Sequence, residues 1–297
     1  MKILNFGSLN IDYVYKVEHF VRPGETISSD DLMTFCGGKG LNQSIAIARA
    51  GCEVFHAGKI GVNGDMLREC LEKNSVNTMY LESTSRPAGH AIIQVDNKGQ
   101  NCILLYGGSN EDMDEVFVRR VLSGFGEGDL ILLQNEINLI DFIIGEASKK
   151  GMIIALNPSP ISSDLKNYPL GHVKYFLMNE IEGYELTGEK TAEGIADEML
   201  KRYPDSRIVL TLGKNGVLYI DKDTRAGHGI YKVDVVDTTA AGDTFTGFFI
   251  AGLAESLPIE ENLERASIAS SISVSRMGAS DSIPSKREVD QSSLIEN

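Results

Sequence analysis

What this chain has little of narrows its chemistry first. Positive charge is scarce: 28 Lys and Arg stand against 42 Asp and Glu, for a formal net charge of -14. A surface of that sign repels phosphate backbones and acidic lipid headgroups, so no nucleic-acid or membrane partner is expected. Any anionic ligand must be held by local donors. Cysteine is sparse as well. Cys36, Cys52, Cys70 and Cys102 fall at irregular spacing with no C-x-x-C pair, so the expectation is reduced thiols in a cytoplasmic protein. Long apolar runs are missing. The opening MKILNFGSLNID offers no apolar stretch of signal-peptide length, and no other run approaches a membrane span. Repeats, low-complexity tracts and a linker between two units are also absent, so one folding unit is expected over 1–297.

What is present is alternation. Short apolar runs rich in Ile, Leu and Val (KILNFG, EVFHAGKIG, DLILLQ, MIIALNP, YFLMNE, RIVLTLG) alternate with helical patterns (LNQSIAIARAG, DMLRECLEKN, LIDFIIGEASKKG, IADEMLKRYP, DTFTGFFIAGLAE). Strands apolar on both faces, with helices between them, predict an α/β fold with a mostly parallel central sheet between helices. Two stretches without a helical pattern, about 13–35 and 89–108, break the alternation. The second reads as a hairpin around Asp96–Gly99. Together they predict a small β-sheet lid at one edge of the core. Plain surface hairpins are the alternative.

Four stretches carry candidate chemistry. In CGGKGLNQSIAIARAG, Gly37, Gly38 and Gly40 surround Lys39 before a helix, which lets backbone N–H groups approach a ligand; a tight turn is the competing reading. Asn42 would sit in the first helical turn as a hydroxyl donor or as a cap. The spacing is not that of a Walker A loop, and no G-x-G-x-x-G follows the first strand. In GSLNID, Asn10 and Asp12 share one face of an extended chain, as polyol binding needs, with an Asx turn as the alternative. Glu136, Asn157, Asn179 and Thr211 follow or end apolar strands, where open α/β sheets bind ligands. In DTTAAGDTFTGFF, the small residues Ala240, Ala241 and Gly242 open a helix ahead of Asp243. Their N–H groups could hold a transferring phosphoryl group while Asp243 takes a proton, or Asp243 could simply cap the helix.

GGKGLNQSIAIARAG and DTTAAGDTFTGFFIAGL resemble the two signature motifs of the PfkB/ribokinase family of carbohydrate and nucleoside kinases. The similarity extends through NID, RPGET, ALNPSP, MNEIEGYELTG and TLGKNG, over nearly the whole chain. The resemblance implies a ribokinase-like α/β fold whose β-sheet lid forms a homodimer. It also implies transfer of the ATP γ-phosphoryl group to a sugar hydroxymethyl group with Mg²⁺. By motif match it makes Asp243 the catalytic base and Ala240, Ala241 and Gly242 the anion hole. Asn10, Asp12, Gly38, Lys39, Asn42 and Glu136 match sugar-binding positions. Asn179, Glu182, Thr211, Gly213 and Gly216 match nucleotide-side positions, Glu182 within an N-x-x-E motif linked to Mg²⁺ and phosphate; Ser267 falls in the adenine region of the nucleotide site but departs from the Asn or His often found there. Asp237, Thr239 and Gly278 match the region of a monovalent-cation site, so K⁺ is expected. A neutral sugar, D-ribose first, is the expected substrate. Fructose, deoxyribose, a keto-deoxy sugar acid and a nucleoside remain alternatives, as does a binding protein without catalysis. Arg22 and Arg86 would serve a phosphorylated substrate; Tyr13, Tyr15 and Phe35 would stack on a nucleoside or form lid core.

Overall fold

The structure, a computed structural model, describes residues 1–296. Strand β1 is Ile3–Phe6, followed by β2 Asn10–Lys16, β3 Asp31–Gly37, α1 Lys39–Arg49, β4 Val54–Val62, α2 Asp65–Lys73 and β5 Asn77–Pro87. Then come β6 Gly89–Val95, β7 Asn101–Tyr106, α3 Glu115–Leu122, β8 Leu130–Gln134, α4 Ile140–Lys149, β9 Ile153–Asn157 and β10 Tyr175–Asn179. The remainder is α5 Glu180–Thr187, α6 Ala192–Arg202, β11 Arg207–Thr211, β12 Val217–Ile220, β13 Arg225–His228, α7 Ala241–Ala254 and α8 Ile259–Val274, with a short terminal helix Lys286–Asp290.

Among the described residues nine strands form one sheet in the order β13-β12-β11-β10-β9-β8-β1-β4-β5. From β5 to β11 every pairing is parallel; β12 and β13 add an antiparallel edge. The apolar runs explain this. Within β8, Leu130 and Leu132 join the core that also holds Leu41, Ile45, Leu67, Phe248 and Leu263 from α1, α2, α7 and α8. Ile131 and Leu133 join the opposite core with Phe117, Ile143 and Ile195 from α3, α4 and α6. A strand covered on both faces has no reason to alternate apolar with polar residues. The sequence pattern does not mark β5, whose outer half is exposed at the sheet edge, nor the β12–β13 hairpin.

The second sheet has the order β3-β2-β6-β7. Strands β2 and β6 run parallel at its centre, with antiparallel neighbours outside. The β6–β7 turn closes where Asp96 N–H donates to the Gln100 carbonyl and Gly99 N–H to the Asp96 carbonyl, both at 3.0 Å. Tyr13 packs edge-on against His90 within this sheet, with ring centroids 5.9 Å apart.

Helix α7 is apolar around nearly its full circumference, and residues Asp243–Gly252 are all buried. Such a helix needs neighbours on all sides. It crosses α1 at Gly247, where a Cβ atom would lie 2.3 Å from the Ala46 Cβ and 2.9 Å from the Ile47 nitrogen. Replacing a helical Gly by Ala ordinarily gains about 1 kcal/mol of helix propensity. Here overpacking of about 1–3 kcal/mol opposes it and is expected to win. Gly247→Ala should therefore lower the urea unfolding midpoint at unchanged slope; a raised midpoint would show that the crossing yields easily.

Candidate active site

The glycine-rich start of α1 is pressed against the end of β1. A Cβ at Gly40 would lie 2.3 Å from the Ser8 nitrogen, so only glycine fits the contact. Gly40 N–H donates to Ser8 Oγ at 3.1 Å and Leu41 N–H to the Ser8 carbonyl at 2.9 Å. Ser8 Oγ donates onward to Glu136 Oε2 at 2.5 Å, and Lys39 N–H reaches the same oxygen at 3.0 Å. Gly38, at φ 93°, is the helix N-cap residue, and its carbonyl accepts from the Asn42 N–H at 3.0 Å. Neither the Asn42 side chain nor any other caps α1.

The second motif meets the first directly. The N-cap residue of α7 is Ala240, in the left-handed region at φ 60°, and no side chain caps the helix. Asp243 is 7% exposed and turns away from its own helix start. Its Oδ2 accepts from Asn42 Nδ2 at 3.0 Å and its Oδ1 from Gln43 Nε2 at 2.8 Å. The capping readings of Asn42 and Asp243 therefore fail. Two residues 201 positions apart are hydrogen-bonded at the junction of two helix starts. Among the described residues the Asn42 Oδ1 has no hydrogen-bond partner and is buried.

Asn10 and Asp12 lie on β2, two residues apart on one face, not in an Asx turn. Asn10 is buried and its Oδ1 accepts from Asn110 Nδ2 at 2.7 Å. Asp12 packs on Gly37, where a Cβ would come within 2.0 Å of its Oδ2. Burial, then the charges of Glu136 and Asp243, push the Asp12 carboxyl up to about 7. Burial also raises Glu136, against the opposing pull of Lys39 and its hydrogen bonds. Burial alone would lower the Lys39 ammonium, but Asp243, Glu136 and Glu182 outweigh it and hold it above its ordinary value. One cation thus offsets a cluster of carboxylates in a place little reached by water.

Lys39 and Asp243 line a cavity of about 220 Å³ with Asn157, Asn179, Glu182 and Gly242. A second cavity, of about 280 Å³, adjoins it through Asn179, Thr211, Gly242 and Phe245 and continues to Gly213, Gly216, Ala241 and Ser267. Asn179 and Glu182 form a capping box at the start of α5, with bonds of 2.9 Å each way. Gly216 has a structural reason of its own: a Cβ there would lie 2.0 Å from the His228 carbonyl oxygen. Asp237 accepts from Thr239 N–H at 2.9 Å and from Gly278 N–H at 3.1 Å, which gathers those three residues beside the α7 start. Thr238, the neighbour of Thr239, is the one that lines the first cavity. Arg86 is turned to Asp112, at 3.1 Å, and Arg22 is exposed.

Sequence reasoning did not single out Ser8, Gln43, Asn110 or Gln134. Each is an uncharged side chain whose importance lies in a partner far along the chain. Only a polar residue inside an otherwise apolar run, as Gln134 is at the end of LILLQ, signalled anything.

The family model for pfkB family carbohydrate kinases matches residues 1–286. The chain belongs to the pfkB family of carbohydrate kinases. This pfkB-family chain is 33% identical over 291 residues to the ribokinase of Haemophilus influenzae, covering 95% of each. Among solved structures, the ribokinase of Thermotoga maritima superposes with a TM-score of 0.86 at 34% identity, over 97% of this chain and 98% of that one. The Arabidopsis thaliana ribokinase, solved with ribose and ATP, gives 0.88 at 28% identity, over 98% and 97%.

The raised Asp12 pKa has a definite sign in stability. The unfolded carboxyl titrates near 3.8 and the folded one near 7, so stability present below the first value is lost as pH rises through the second. Asp12→Asn removes that dependence. Its melting temperature relative to the native chain should climb between pH 4 and pH 7 and level off above; a difference independent of pH would show that Asp12 ionises as freely folded as unfolded.

Proposed function

We propose that this chain is an ATP-dependent ribokinase, which transfers the γ-phosphoryl group of ATP to the hydroxymethyl oxygen of D-ribose. The observation that carries the reading is the meeting of Asn42 and Asp243 where two helix N-termini open on adjoining cavities. The relatives named as ribokinases across nearly their full length support the choice of sugar.

In this reading Asn10, Asp12, Gly38, Lys39, Asn42 and Glu136 hold the sugar. Carboxylates and amides accept and donate to vicinal hydroxyls, and the surplus of negative charge disfavours a phosphorylated sugar. The hydroxymethyl O–H gives its proton to Asp243. Its oxygen bonds to the γ-phosphorus as the bond to the leaving ADP oxygen breaks. The N–H groups at the start of α7, of the N-cap Ala240 and of Ala241 and Gly242, would face the charge that builds on the equatorial oxygens, the Ala241 N–H giving up its 3.3 Å bond to the Thr238 carbonyl. The nucleotide lies along the second cavity past Thr211, Gly213, Gly216 and Ser267. Lys39 balances the anionic side.

Mg²⁺ fits the oxygen donors of the first cavity. The described residues hold no cluster of three or more acidic, His or Cys groups, but Mg²⁺ in phosphoryl-transfer sites takes most of its ligands from phosphate and water. Glu182 and Asn179 would orient it, and it would neutralise charge on the phosphates. K⁺ would sit by Asp237, Thr239 and Gly278, next to the anion hole. The second sheet would act as the lid, with Asn10 and Asp12 at its root. Its edge strand β7 presents Ile103, Leu104, Leu105 and Tyr106, all exposed, as the surface of a homodimer. Leu104→Asp should then shift the protein from dimer to monomer in sedimentation equilibrium, whereas an unchanged mass would place the contact elsewhere.

Steady-state kinetics over pentoses, hexoses, keto-deoxy acids and nucleosides should give D-ribose the highest kcat/KM, with more activity in K⁺ than in Na⁺ at equal ionic strength. A tenfold preference for a nucleoside would overturn the choice of sugar, and equal rates in both salts the cation site. Asp243→Asn should lower kcat by about 10²–10⁴-fold. Its fold should survive, because Asn42 can flip its unpartnered Oδ1 toward the new amide while Gln43 keeps its bond. Near-normal turnover by that variant would remove Asp243 from the role of base.

A further inference from the structure

The kinase reading leaves three fully buried amides without a role. Asn5 on β1, Gln43 on α1 and Gln134 at the end of β8 have no exposed surface. They are joined in one direction. Gln43 Nε2 donates to Asp243 Oδ1 at 2.8 Å, and Gln43 Oε1 accepts from Gln134 Nε2 at 2.7 Å. Gln134 Nε2 also donates to Asn5 Oδ1 at 2.9 Å. Asn5 Nδ2 donates to the Gly40 carbonyl and to Ser44 Oγ, both at 2.8 Å. Ser44 Oγ lies 2.7 Å from His56 Nδ1, and burial pushes that imidazole down to about 4, so it is neutral and can accept the hydroxyl proton.

This order leaves Gln43 one orientation. Turned over, its oxygen would face the Asp243 carboxylate and its NH₂ would face the NH₂ of Gln134. Both contacts would be repulsive. Asp243 and Gln134 together set that orientation, Gln134 by holding the Gln43 oxygen from behind. The core makes concessions to keep Gln134 there. Its Oε1 is buried without a partner, and a Cβ at Gly7 would lie 2.3 Å from that oxygen. An unpaired buried acceptor lowers stability, and an apolar side chain of similar size would avoid that.

We propose that Gln43 and Gln134 are positioning residues for the proton transfer: Gln134 fixes the Gln43 amide, and Gln43 fixes the plane of the Asp243 carboxylate. With Asn42 on the other oxygen, the two donors hold that carboxylate toward the cavity. This rests on the proposed function, in which Asp243 takes the sugar proton. Preorganisation of this kind acts on the chemical step more than on binding.

A double-mutant cycle on the full chain separates this from a general packing effect. Gln43→Met and Gln134→Met keep length and remove the amide. Each should lower kcat by about 10- to 100-fold, part of a full general-base contribution, with KM for ribose and ATP held within about twofold. The double variant should fall no further than Gln43→Met alone, because Gln134 acts only through Gln43. Losses that multiply, or that appear in KM, overturn the proposal. Should Gln134→Met fail to fold, Gln43→Met decides the matter, and a kcat within twofold of the native chain overturns it. A native chain that turns over none of the sugars sinks the kinase reading instead, a result distinct from any of these.

Discussion

The Asp243 carboxylate, held by two amides of another helix, is the constraint around which this molecule is arranged. A buried charge is tolerable only when its oxygens are satisfied. Asn42 and Gln43 satisfy one each; Asn42 closes the first turn of α1 and Gln43 begins the second. Those two bonds therefore require the N-termini of α1 and α7 to converge. The convergence in turn requires residues that let backbones touch. Gly40 against Ser8 and Gly247 against Ala46 and Ile47 provide it.

The sheet supplies the rest of the geometry. Parallel strands release their polar ends at one edge, so Gln134, Asn157, Asn179 and Thr211 line up there as β8, β9, β10 and β11 finish. The second sheet leaves the same edge through β2, which carries Asn10 and Asp12 beside Gly89 and Gly37. Its position brings Asp12 close enough to Glu136 and Asp243 for their charges to raise its pKa. Burial works against the charged forms of Asp12, Glu136 and Lys39 alike, and Asp243, Glu136 and Glu182 gather around the one Lys39. Such local conflict is the pattern expected of a functional site and not of a purely structural core.

The alternation of apolar runs with helical patterns was enough to read the parallel sheet, because strands covered on both faces leave continuous runs of Ile, Leu and Val. The glycine-rich motifs and the resemblance they carry were enough to read the family. The edge strand β5 was not legible, since half of it is exposed and its pattern is that of any surface segment. Nor was the choice between cap and something else at Asn42 and Asp243. Both roles use the same residue types at the same place in a helix.

The sequence alone determined what local chemistry can determine: fold class, the presence of two helices that begin in small residues, and the family. Tertiary structure alone decided where the side chains of those starts point. Gln43 and Gln134 are 91 positions apart, and Gln43 and Asp243 are 200 apart. No local propensity or spacing links them. They meet because packing of α7 on α1, and of α1 on the ends of β1 and β8, brings each buried amide NH₂ against acceptors that lie far away along the chain.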